Sequence, residues 1–142
     1  MVAFNKFQPF VANVCNGYFN LASDTMKVGL TNTLPVNTYS AYSSISEISS
    51  GNGYSAGGSA ASGNGSTQTS GTQTFSLNNV TFTATGAIGP FRYVVLYDST
   101  ANSSYNLVGW WDYGSSITLA NGDTFTVQWN GGSTSGTIFT LA

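Results

Sequence analysis

The chain has 142 residues, of which 6% are charged, 41% hydrophobic and 14% aromatic, with 17 Gly, one Cys, no His and a formal net charge of −2. A single cysteine rules out an internal disulfide and a cysteine-built zinc site, and the lack of His removes the side chain most used for proton transfer at neutral pH. Three basic residues are too few to follow a phosphate backbone, and no apolar run approaches the ~20 residues of a membrane-spanning helix, so neither nucleic acid nor membrane is expected as a partner.

At this length one domain over residues 1–142 is the expectation, with room for a sizeable core. The opening stretch Met1–Lys6 shows no signal-peptide pattern, which predicts a chain made in the cytoplasm of its host without an export address. The first predicted element is a short helix over 9–16: Pro9 suits a first turn, Phe10 and Val14 fall one turn apart, and Gly17 sits where a left-handed cap is wanted. Two turns are marginal alone, so Phe10, Val14 and Phe19 are expected to dock on the main body. Met26, Val28 and Leu30 alternate as one face of a strand, which Pro35 closes.

Between Tyr39 and Ser49 the apolar positions Tyr42, Ile45 and Ile48 recur every third residue, a helical or 3₁₀ spacing with Thr38 available as N-cap. Residues 55–74 are rich in Gly, Ser and Thr and read as an extended arm or loop, either a linker or an edge strand. A β core is predicted over 75–142. Short apolar runs recur there, separated by turn signals at Asn78-Asn79, Gly86–Pro90, Asn102–Ser104, Gly114-Ser115, Asn121–Asp123 and Asn130–Gly132. Thr124–Trp129 alternates strictly, and Asn121-Gly122 predicts a tight hairpin joining it to the strand that ends at Ala120. Phe91–Tyr97 is apolar on both faces, as in a central strand covered on each side. The fold class that follows is all-β, a β-sandwich or jelly-roll-like barrel with a short N-terminal helix.

Few residues carry chemistry. Arg92, within the predicted central strand, calls for a partner if buried, and Asp112 is the candidate for a structural ion pair. Trp110 and Trp111 are adjacent, so on a strand they point to opposite faces. With Tyr93, Tyr113 and Trp129 they are the expected core or interface anchors. Asp112 beside the Trp pair is also a hint of a sugar-stacking platform. Asp98, Asp112 and Asp123 follow no glycosidase pattern, and Cys15, with no His to activate it, reads as a small buried apolar residue. No catalytic residue, metal-ligand motif or cofactor is predicted, and the chain reads as a non-enzyme. Calcium held by loop carbonyls together with Asp98 or Asp123 stays open, because such sites leave no motif.

Several long strings resemble a known group. These are Phe7–Val14, Ser23–Thr33, Gly51–Tyr54 with Ala56–Gly58, Gly89–Tyr97 and Gly109–Gly122. Together they resemble small virion structural proteins of tailed bacteriophages, of the capsid decoration (cement) type. The resemblance implies a virion part on the capsid exterior that binds the major capsid protein, forms a homo-oligomer, with a trimer expected, and stabilises the assembled head by bridging shell subunits. A tail, neck or fibre component, and a carbohydrate-binding module on the virion surface, are the alternative readings. A low-charge skin of Ser, Thr and Asn suits a part with many close neighbours, because it interacts by hydrogen bonds and shape with little repulsion.

Overall fold

The computed structural model describes residues 2–130 and 132–142. The chain is mainly antiparallel β with one short N-terminal helix, as the spacing of apolar runs and turn signals predicts. Its largest sheet has the order β1-β8-β7-β2-β3, formed by Asn5–Lys6 (β1), Leu107–Leu119 (β8), Ile88–Asp98 (β7), Met26–Thr31 (β2) and Ser59–Ala61 (β3). A three-stranded sheet joins Ser135–Leu141 (β10), Thr72–Asn78 (β5) and Gly65–Thr69 (β4), and a two-stranded one joins Val80–Thr83 (β6) to Thr124–Val127 (β9).

Phe91–Tyr97 lies in the middle strand of the large sheet, β7, and both of its faces are covered. Val94 and Leu96 join Met26, Val28, Leu30 and Val108 in a core shared with Phe75 and Leu77 of β5, Val80 and Phe82 of β6, and Ile138 of β10. The two small sheets therefore pack over one face of the large one, a sandwich-like layering. Tyr93, Val95 and Tyr97 face the other way, with Phe7, Ile45, Leu107 and Trp110. Phe91 belongs to the first face although its parity matches the second. The β7–β8 register shifts between Phe91 and Tyr93, and this irregularity changes which face the following residues meet.

The helix, Gln8–Cys15 (α1), matches the predicted 9–16 within a residue; Gly17 takes φ +75°, and Phe10 packs edge-on to Phe19 and Phe139. The core is not confined to residues 75–142, because β2 pairs along six residues with β7 and supplies three of its fully buried side chains. Part of the 55–74 stretch is edge strand: β3 borders the large sheet and β4 the three-stranded one.

Three local expectations need correction. Tyr39–Ser49 forms a single 3₁₀ turn, Tyr42–Ser44, whose N-cap position is Ala41 and not Thr38. Its apolar residues divide between the two faces, Ile45 going to the outer cluster and Ile48 to the inner one, which a helix at that spacing could not do. Gly114-Ser115 does not end a strand: β8 runs through it, and the pairing jumps from Tyr93↔Asp112 to Phe91↔Ile117 across a bulge in which Gly114 takes φ +101°. At Asn121-Gly122 the turn is present, with the Asp123 amide donating to the Ala120 carbonyl at 3.0 Å, but no hairpin follows. β9 leaves the large sheet and pairs with β6, because its dry face, Phe125 and Val127, is needed in the second layer. The predicted turn at Asn130–Gly132 includes Gly131, which lies outside the described residues.

Candidate functional site

An aromatic cleft of about 440 Å³ opens where the N-terminal residues, β8 and β9 meet. Its wall is set by residues that are small for a reason. Gly109 of β8 pairs next to β1, and a Cβ there would collide with the Phe4 ring, so only glycine lets that ring lie flat on the strand. Phe4 then meets Trp111 at 5.2 Å between ring centroids, and Trp111 meets Trp129 at 5.0 Å. Trp129 is anchored by its indole N–H, which donates to the Asn78 carbonyl at 2.8 Å.

Tyr113 forms the outer lip, 49% exposed, with its ring edge-on to Phe125 at 5.6 Å. The bulge in β8 aims it there, and the predicted Arg92–Asp112 pair fixes the bulge. Arg92 Nε donates to Asp112 Oδ1 at 2.8 Å and Nη2 to Oδ2 at 2.9 Å, while the Gly114 amide donates to the same Oδ1 at 2.8 Å. Both charged side chains are more than a third exposed, so the pair is a surface clamp and not the buried pair the central strand suggested. Arg92, and then the Gly114 amide, hold the Asp112 carboxyl below its usual range.

The five anchor residues divide accordingly. Tyr93 and Trp110 are core on the outer face, edge-on to each other at 5.7 Å, with the Trp110 indole donating to Asn37 Oδ1 at 3.0 Å. Trp111, on the opposite face as strand geometry requires, Trp129 and Tyr113 line the cleft. Phe4, Phe125, Gln128 and Asn130 also line it and were not among the expected anchors. The strict alternation of β9 was the signal for Phe125; nothing local marks Phe4, whose role depends on a partner strand over a hundred residues away. No charged side chain among the described residues lines the cleft.

Two polar clusters lie elsewhere. The Tyr54 hydroxyl donates to Glu47 Oε1 at 2.6 Å and accepts from the Leu30 amide at 3.0 Å; the Gly57 amide donates to the same Glu47 oxygen at 2.7 Å. Tyr42 stacks on Tyr97 at 3.8 Å and lies over Gly29, where a Cβ would strike its hydroxyl. Burial, then Glu47, pushes the Tyr97 hydroxyl up to about 12, and burial also raises Tyr42 and Tyr54. This cluster pins the 42–57 segment to the sheet.

At the far end of β7, Asp98 is fully buried, and burial followed by the neighbouring Asp24 carboxyl pushes it up to about 6. Asp123 by contrast is a turn residue whose Oδ2 accepts from the Ala120 amide at 2.8 Å. Cys15 is exposed on the helix, contrary to the expectation that it is buried. No group of three or more His, Cys, Asp or Glu converges among the described residues, and no helix there is long and apolar enough to cross a membrane. No family model, curated protein or solved structure matches the chain.

Proposed function

We propose that the chain is a virion structural protein of the capsid decoration type, which binds an assembled phage head and stabilises it by bridging shell subunits. One observation carries the docking part of this reading: the cleft is aromatic, free of charged side chains among the described residues, and edged by the exposed Tyr113. A cleft of that kind takes an apolar segment of a partner and offers nothing to make or break a bond. The head as partner comes from the resemblance of the long strings around Arg92 and Trp110–Gly114. A protein that binds the assembled lattice and not its free subunits shifts the equilibrium toward the lattice by mass action. The same logic favours a homo-oligomer, which multiplies the contacts each copy brings to the shell.

Tyr113→Ala tests the reading. The side chain is half in solvent, so the melting temperature should stay within the range of ordinary surface substitutions. Occupancy on heads that lack the protein should fall, with affinity weaker by roughly tenfold or more, the range of an aromatic anchor in an interface. Equal occupancy of wild type and variant in a particle reconstruction, or no binding to heads by either, would sink the proposal. A sugar ring is the second reading, favoured by the Gln128 and Asn130 amides that line the same cleft. It predicts glycan-array binding by the wild type that Tyr113→Ala loses.

A further inference from the structure

Asp98 ends β7 with its side chain 0% exposed. Its Oδ1 accepts from the Thr100 amide at 2.8 Å and the Ala101 amide at 3.0 Å, the geometry of a turn. Its Oδ2 is equally buried and has no hydrogen-bond donor at all. A buried carboxylate oxygen left unsatisfied is costly, and natural folds rarely keep one without a ligand. Its neighbour makes the electrostatics worse: Met26 pairs with Asp98, and Asp24, two residues before it, brings a second carboxyl that raises Asp98 further. The ion pair found among the described residues is Arg92–Asp112, so no salt bridge there compensates either acid.

The surrounding chain is built rigidly around these two groups. The Asn20 amide donates to Asp24 Oδ2 at 2.6 Å. Asn64 Nδ2 donates to both the Leu21 and the Asp24 carbonyls at 2.8 Å, fixing the loop before β2. The Ser99 amide and hydroxyl both donate to the Thr25 carbonyl, at 2.9 and 2.8 Å, and the Thr25 amide donates to Thr100 Oγ1 at 2.8 Å. Two loops distant in sequence are thus stitched together with two carboxylates between them and an oxygen left over.

We propose that Asp98, through its free Oδ2, and Asp24 bind a divalent cation of the calcium type, with main-chain carbonyls and water completing an oxygen shell. The donors are all hard oxygens, with no nitrogen or sulfur ligand to favour zinc. An irregular loop site suits calcium, which tolerates six to eight ligands in flexible geometry, better than magnesium, which demands a near-ideal octahedron. With two carboxylates the affinity belongs to the weak class, about 10⁻⁴–10⁻³ M, sufficient outside cells. This site stands apart from the aromatic cleft and does not depend on what the cleft binds.

Thermal melts of the full chain, first stripped with EDTA, test the proposal at matched ionic strength. Calcium chloride at about 10 mM should raise the melting temperature by roughly 2–8 °C in a saturable manner, and magnesium by less. Asp24→Asn, at a partly exposed position, should fold and lose the calcium shift; Asp98→Asn should lose it too wherever it folds. Calorimetric titration of wild type with calcium should give one site per chain that Asp24→Asn lacks. A melting temperature unchanged by calcium, or a shift that Asp24→Asn retains in full, would overturn it.

Discussion

The Tyr97 hydroxyl donates to the Gly57 carbonyl at 2.7 Å under the stacked Tyr42 ring, and its proton is held tightly because the ionised form would be desolvated beside Glu47. Its folded value is about 12 against an ordinary value near 10. Between those two pH values the folded state keeps a proton that the unfolded chain releases, so stability must fall as pH rises. The contribution is intact below pH 10 and lost as pH climbs through about 12. Tyr42 and Tyr54, raised by the same burial, act in the same direction. Urea midpoints measured from pH 9 upward should therefore decline steeply in the wild type and less steeply in Tyr97→Phe; equal slopes would remove this cluster from the account. At this scale the sequence was legible where geometry is local. Adjacent Trp110 and Trp111 had to face apart, and Arg92 does pair with Asp112, although at the surface and not in the core. The exposure of Cys15 was not legible, because eight helical residues do not say which side of the helix meets the sheet.

Among the elements, β8 is the one whose sequence misleads, since Gly114-Ser115 carries the signature of a chain reversal and instead forms a bulge within thirteen residues of strand. The distinction is tertiary: Asp112 accepts from both Arg92 and the Gly114 amide, and that clamp keeps the chain running along β7. Gly114 has φ +101° with open space around the place a Cβ would take, so Gly114→Ala has no clash to relieve and a purely backbone cost, about 1–3 kcal/mol. Denaturation should show that loss, and Tyr113, one residue away, should lose its fixed orientation over Phe125. A substitution without effect would mean the bulge is not held by backbone conformation. The hairpin expected at Asn121-Gly122 failed for a related reason. Turn chemistry fixes the reversal, but which strand the emerging segment pairs with is decided by the apolar face of β9, which had a better place beside β6.

On the scale of the whole molecule, the charge-poor composition bears on how the surface would hold the proposed partner. The eight charged residues include a clamped pair, Arg92–Asp112, and two acids tied into loops, Asp24 and Asp98. Among the described residues, the cleft that would meet a neighbour contains none. This much was readable from composition, as was the layered β architecture, because counts of apolar runs and turns sum over the chain and forgive local errors. The cleft itself was not readable, since Phe4, Trp111 and Phe125 come together only through strand order. Long-range steering and counterion release scale with charge, and ionic strength screens such terms within about 8–10 Å at ordinary salt. Apolar contact does not weaken with salt, and excluded salts such as sulfate strengthen it. If the chain is the proposed decoration protein, its attachment to heads, measured by co-sedimentation, should therefore stay nearly constant as sodium chloride rises from about 0.05 to 0.5 M and tighten with sulfate. If binding instead fell steeply over that range, the partner would be held by the few exposed charges, and the aromatic cleft could not be the principal contact.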